Sequence, residues 1–179
     1  MSGSTENQQI NSVLSEIFDL SSYPDSLRVK YDYCASILLS ENYSSQSEYI
    51  DQSVLKDIKK ISGTDSVSMF SLDFYLKGEL RFEMVYSGKL EELDVDSVCD
   101  EMQCYSFIIV MPSSNYIIGL DEEVVIFISR TNTGLISRLG GVSYFKQLFN
   151  RQRVSISTPL DTNTIDNLDS IFYKNIKTC

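Results

Sequence analysis

Histidine is missing from all 179 residues, and with it go the usual general base of hydrolytic enzymes and the commonest nitrogen ligand for a transition metal. The four cysteines, Cys34, Cys99, Cys104 and Cys179, show no CxxC spacing. A zinc site would therefore need all four thiolates, and the plainer expectation is small buried thiols in a reducing compartment. Long apolar runs are missing too. IIVM and VVIFI, even with their neighbours, fall short of the roughly 18 residues a membrane span requires. The opening MSGSTENQQ lacks the charged-then-apolar order of a signal peptide. Gly3 stands one position late for myristoylation, and Cys179 makes no prenylation box. A cytosolic or nuclear protein, or one that meets a membrane only peripherally, is expected. GxxxxGK[ST], GxGxxG and GxSxG are all absent, which leaves Gly134 with Gly140-Gly141 as weak support for a phosphate cradle. The expectation is a protein without catalytic activity or cofactor.

What is present points to a folded domain. Apolar residues make up 42% and aromatics 11% of the chain, enough to exclude general disorder and to bury roughly two-thirds of the unfolded surface. A polar, flexible arm over residues 1–9 and a single domain over 10–179 are expected. Charge is sorted along the sequence. From Arg130 to Arg153 the chain carries five cations and no carboxylate, inside a net charge of −10, so the remainder sums to −15. With a pI near 4.4 the whole molecule would be repelled by phosphate, and contact with nucleic acid would need that one basic segment.

Hydrophobic spacing orders the elements. Ile10, Val13, Leu14, Ile17 and Phe18 predict a short amphipathic helix, broken at Ser21 to Pro24. Leu27, Tyr31, Cys34 and Leu38 predict a second helix. Ile50, Val54, Ile58 and Ile61 predict a third, stopped by Gly63. Alternation then takes over: Phe70, Leu72, Phe74 and Leu76, and after Lys77-Gly78 again Leu80, Phe82, Met84 and Tyr86, predict an antiparallel hairpin around that glycine. Val95, Val98, Cys99 and Met102 form one helical stripe. CYSFIIVM, stopped by Pro112, predicts a buried strand, and YIIGL with VVIFIS a second hairpin. Leu135, Leu139, Val142, Phe145 and Phe149 return to helical spacing, with a kink or division expected at Gly140-Gly141. A short strand RVSIST and a final helix through Ile165, Leu168, Phe172 and Ile176 close the chain. The predicted class is α+β, a mostly antiparallel sheet with amino-terminal helices and helices in the carboxy-terminal third.

Three stretches are candidates for interaction. EELDVDSVCDE concentrates six carboxylates, Glu91, Glu92, Asp94, Asp96, Asp100 and Glu101, without the oxygen spacing of a calcium loop. It reads as the solvated face of an amphipathic helix or as a surface for a basic partner. Arg130, Arg138, Lys146, Arg151 and Arg153 could attract anionic lipid at about 1 kcal/mol each near the surface, or RNA, or an acidic protein. They could also neutralise acids of the same fold or of the next copy. One basic and one acidic surface on the same molecule suit head-to-tail self-association. In YPDSL, Tyr23, Pro24 and Leu27 resemble the short motif by which budding viruses recruit a host membrane-scission adaptor. The same residues also suit the start of a helix with Pro24 in its first turn.

The order of elements, namely FSLDFYLKGELRFEMVYSG, the helix DVDSVCDEM, the strand CYSFIIVMPSS, the hairpin YIIGL to VVIFIS, a helix and RVSISTPLDTNTIDNLDSIFY, resembles that of rhabdovirus matrix proteins over roughly Ser66 to Tyr173, the length suiting the smaller plant-infecting type. The resemblance implies a non-enzymatic virion protein that polymerises with itself, condenses the viral nucleoprotein-RNA complex and lines an anionic envelope membrane from the host cytoplasm. Arg130 to Arg153 would be the nucleocapsid or lipid face. MSGSTENQQ carries one acid and no base, unlike the lysine-rich arm of better known members, so self-association and nucleocapsid contact are the implied functions. The competing reading is a small acidic immunity or inhibitor protein of the bacterial cytoplasm. It would use the Glu91 to Glu101 carboxylates to block a basic toxin nuclease.

Overall fold

The computed structural model describes residues 7–8, 10–12, 14–15, 18–19, 28–29, 32–40, 49–79, 81–120 and 124–155. Its centre is a six-stranded sheet whose neighbours all run antiparallel, in the order β3-β8-β7-β6-β4-β5. The strands are β3 (Tyr33–Leu39), β4 (Ser66–Ser71), β5 (Glu83–Lys89), β6 (Phe107–Met111), β7 (Asn115–Leu120) and β8 (Val124–Arg130). Two short strands, β1 (Phe18–Asp19) and β2 (Arg28–Val29), pair with each other separately. Helices α1 (Gln52–Ser62), α2 (Asp73–Leu76), α3 (Val95–Met102), α4 (Leu135–Arg138) and α5 (Gly141–Ser155) complete an α+β fold.

Register explains the core. Ser36, Phe127, Ile117, Ile109, Met69 and Tyr86 stand opposite one another in a row across all six strands, and Ile37, Ile126, Ile118, Ile108, Phe70 and Met84 form the next row. Adjacent rows point to opposite faces. The three strands β6, β7 and β8 are buried on both faces except at Val110 and Arg130, which is why their sequences read as unbroken apolar runs. On the Phe127 face α5 lays Phe145 against Phe127, ring centroids 5.0 Å apart, and Tyr49 meets Phe107 edge-on at 6.1 Å. Helix α1 adds Val54, Leu55 and Ile58. Its start is capped by Asp51, whose carboxylate accepts from the Ser53 and Val54 amides, satisfying donors the helix cannot pair.

The edges are treated differently. At Leu39 on β3, the side-chain amide of Gln152 from α5 pairs with the main chain: Leu39 N donates to Oε1 and Nε2 donates to Leu39 O, both at 2.9 Å. A side chain thus takes the place of a further strand. On β5 the ladder to β4 is bulged between Met69 and Phe70, and Tyr86 lies over Gly88 with its hydroxyl donating to Lys89 O.

Several expectations are corrected. The helix predicted through Leu27, Tyr31, Cys34 and Leu38 is, where described, the short strand β2 and then the strand β3, because Cys34 to Leu39 completes the sheet beside β8. Phe18 belongs to β1 and not to the end of the first helix, whose described residues are helical at 7, 8, 10–12, 14 and 15. The hairpin of β4 and β5 exists, but Phe74 to Leu76 form α2 instead of continuing the strand. The cause is Asp73, whose carboxylate accepts from the Tyr105 and Ser106 amides and from Ser71 Oγ and so pulls the chain off the ladder. Gly78, at φ +87°, turns out of α2. Residues 153–155 of the predicted strand RVSIST extend α5; its remainder and the predicted final helix lie outside the described residues. In the segment expected to be a flexible arm, Asn7 is helical and its side-chain oxygen accepts from Phe82 N at 2.6 Å.

Other expectations hold. Gly63 ends α1, and the division at Gly140-Gly141 is real, with φ of +115° and +73° at the two glycines. Cys34 is disulfide-bonded, which corrects the expectation of four thiols; Cys99 and Cys104 are free and buried, and Cys179 lies outside the described residues.

Gly119 on β7 faces Phe107, and a methyl added there would collide with that ring. Since Phe107 is wholly buried, it has nowhere to turn. Gly119→Ala is expected to destabilise the fold by about 1–3 kcal/mol through overpacking, measured by urea denaturation, with partial recovery in the Gly119→Ala/Phe107→Leu double variant. An unchanged midpoint for Gly119→Ala would show that the ring has room to move.

Candidate interaction surfaces

Helix α4 is held at its start by the sheet. Asn115 Oδ1 accepts from Leu135 N at 2.8 Å and Ser129 Oγ from Ile136 N at 3.2 Å. Gly134 lies so close to Ser129 that a side chain would collide with it. This fixes Arg138, whose guanidinium Nη2 donates to Ile61 O of α1 at 3.0 Å. From the other side, Tyr144 on α5 donates its hydroxyl to Asp57 Oδ2 of α1 at 2.9 Å, and Lys60 bonds the other oxygen of Asp57 at 2.8 Å.

Electrostatics identify what surrounds that bridge. The Asp57 carboxyl is held below its ordinary range first by the Lys60 hydrogen bond, then by Tyr144, with further help from the charges of Lys60 and Lys56. The Tyr144 hydroxyl is pushed up to about 12 by burial, then by its bond to Asp57, while the charge of Arg151 acts in the opposite direction. Lys56 and Lys60 of α1 and Arg151 of α5 therefore act on the two groups of one hydrogen bond, while Arg138 of α4 is bound to the end of the same helix α1 at Ile61. Arg138 and Arg151 were predicted from the basic segment. Lys56 and Lys60 were not, because they are remote in sequence; their signal was their position on α1 away from the Val54, Leu55 and Ile58 stripe. Asp51 also contributes negative potential at Tyr144.

The remaining basic candidates divide. Lys146 is exposed on α5. Arg130, exposed at the end of β8, lies over the Tyr33 ring at 5.2 Å, a cation–π contact that fixes its direction. Arg153 is within α5.

Of the six acidic candidates, two are built into the fold. Asp94 caps α3, accepting from Ser97 N at 3.2 Å and Ser97 Oγ at 3.0 Å. Asp96 accepts from Tyr49 N at 2.7 Å and from Gln52 Nε2 at 3.2 Å. Glu91 and Glu92 lie exposed in a 3-10 turn over Leu90–Glu92, Glu91 being 3.8 Å from Lys89. Asp100 and Glu101 are exposed on α3. No ion pair among the described residues joins the cationic cluster to the acids of α3. The turn is tied to α1 through Lys59, which donates to Leu93 O at 2.7 Å. Tyr23, Pro24 and Leu27 lie outside the described residues. Among those described, no group of three or more metal-ligating side chains converges, and no helix is long and apolar enough to cross a membrane.

Comparison with known protein families, with curated proteins and with solved structures finds no match.

The Asp57–Tyr144 bridge gives the fold a pH signature. Since the folded state keeps the Tyr144 hydroxyl protonated to about 12 against an ordinary 10.0, its stabilisation is complete below pH 10 and lost as the pH climbs towards 12. Asp57, depressed below 3.8, contributes above that pH and loses its contribution as the pH falls through its folded value. Tyr144→Phe is expected to lower the melting temperature slightly at neutral pH and to flatten its decline between pH 10 and 12. Parallel alkaline declines in the two proteins would place the titrating group elsewhere.

Proposed function

We propose that this is a non-catalytic structural protein that self-associates head to tail in the manner of a viral matrix protein. The cationic cluster of α1, α4 and α5 meets the carboxylates Glu91, Glu92, Asp100 and Glu101 of the next copy. The observation that carries the reading is the gathering of Lys56, Lys60 and Arg151 around the Asp57–Tyr144 bond, with Arg138 bound to the end of the same α1 helix, and with Asp100 and Glu101 exposed and unlinked to that cluster by any ion pair among the described residues. Charges on the two faces that remain beyond the Lys60–Asp57 and Lys89–Glu91 pairs attract between molecules. In the same reading the cluster is the face offered to a nucleoprotein-RNA complex or to an anionic membrane. Each cation there contributes about 1 kcal/mol near a lipid surface, enough for multivalent contact and too little for tight monomeric binding. The acidic-inhibitor alternative is the weaker one, because the Asp94 carboxylate is engaged by Ser97 and that of Asp96 by Tyr49 and Gln52.

Light scattering on purified protein, stepped from high to low salt at several concentrations, tests this. Mass is expected to rise reversibly as salt falls, because screening weakens contacts between exposed charges. Reversal of Lys56, Lys60, Arg138 and Arg151 to glutamate should abolish the growth, and reversal of Glu91, Glu92, Asp100 and Glu101 to lysine should do the same. Mixing the two variants should restore it. A monodisperse protein at every salt concentration would overturn self-association and favour the acidic binding module.

A further inference from the structure

Cys99 and Cys104 approach each other across the turn that ends α3. Gln103 caps the helix in the left-handed region at φ 51°, its amide donating to Cys99 O, and Cys104 N donates to the same carbonyl at 2.9 Å. This is the longer hydrogen bond of a Schellman cap, whose flanking side chains ordinarily make an apolar contact. With 2.9 Å between N and O, standard backbone geometry keeps the two α-carbons within about 6.8 Å, inside the span that disulfides bridge. The side chains face the same turn, and each thiol is the largest influence on the ionisation of the other. Cys104 Sγ also reaches Ser106 O at 3.1 Å. Both residues are buried. The neighbouring Cys99 thiol lowers Cys104, while Cys104, followed by burial, raises Cys99; Cys104 is the first of the two to ionise.

We propose that Cys99 and Cys104 form a redox-modification site, closing to an intramolecular disulfide by exchange with a low-molecular-weight disulfide when the α3 cap opens. The Cys104 thiolate, its proton lost to solvent, attacks one sulfur of the reagent; the reagent's S–S bond breaks and one thiolate leaves, taking up a proton. Cys99, deprotonated in turn, attacks Cys104 Sγ in the mixed disulfide and expels the second thiolate, which is protonated likewise. The two cysteine sulfurs lose two electrons in all, the reagent gains them, and it leaves as two thiols. A Schellman cap asks only for apolar side chains at these positions, and leucine or valine would serve. Two thiols in contact add an exchangeable bond. That bond closes a loop containing Asp100, Glu101 and the exposed Met102, so oxidation fixes one end of the acidic surface. The site itself stands on the cap geometry and does not depend on the self-association reading.

Native full-length protein is incubated with oxidised glutathione, remaining thiols are alkylated under denaturing conditions, and the chain is cut after Glu101 before mass mapping without reductant. The peptides bearing Cys99 and Cys104 are expected to run as one species, about 2 Da lighter than their sum, that dithiothreitol separates. Recovery of both cysteines alkylated and unjoined would overturn the proposal. In Cys99→Ser the exchange should stop at a persistent glutathione adduct on Cys104, and an unmodified Cys104 there would overturn the assigned order of attack. Failure of salt-dependent assembly would leave either result unchanged, so this test and that of the proposed function fail separately.

Discussion

The fold depends on a sheet that cannot leave either face to water. Antiparallel sheets commonly bury one face and solvate the other, giving alternation in sequence. Here the two adjacent rows through Phe127 and through Ile126 are apolar across the central strands, so every other element must serve as a cover. Helices α1 and α5 meet that demand on the Phe127 face. Several polar groups that enter the interior do so with partners, although Tyr33 Oη and Ser36 Oγ find none among the described residues: Asn115 and Ser129 supply acceptors to the start of α4, and Asp73 satisfies two consecutive amides leading into β6. A buried polar atom without such a partner would cost more than its hydrogen bond is worth.

Because covers are packed inward, charge is left to their outer surfaces, and the sequence order of charge is not its spatial order. The basic run from Arg130 to Arg153 is contiguous in the chain but not in role. Arg130 is directed onto Tyr33, while Arg138 and Arg151 join lysines of α1. The acidic run divides similarly, with Asp94 capping α3, Asp96 tied to Tyr49 and Gln52, and the other four carboxylates exposed. A contiguous stretch of one sign is thus a poor unit of recognition; the unit is whatever the helix packing assembles.

The elements with a single dominant period were readable from sequence. These are α1, α3, the hairpin of β7 and β8, and the helices divided at Gly140-Gly141, where the left-handed backbone needs glycine. Where two periods fit the same residues, the wrong one was favoured. Leu27, Tyr31, Cys34 and Leu38 sit at helical spacing, but CASILL is also an apolar strand, and pairing with β8, which no local pattern announces, decides for the strand. Phe74 and Leu76 continue the alternation of β4, yet Asp73 draws its ligands from Tyr105 and Ser106, more than thirty residues away. Local propensity loses to a contact closed only in the tertiary fold.

The same reasoning limits and sharpens the functional argument. Absence of histidine was visible at once and bears on catalysis, whereas the cationic cluster was half visible. Its α5 side stood out as an uninterrupted basic segment, while its α1 side was hidden because Lys56 and Lys60 alternate with Asp57 and look like an ordinary solvated face. What turns that face into a candidate surface is Tyr144. By hydrogen-bonding Asp57 it brings α5 and Arg151 against α1, and it engages the one carboxylate that otherwise separates the lysines. The hydroxyl of a single tyrosine therefore links the packing of the helices to the arrangement of charge on the surface they present.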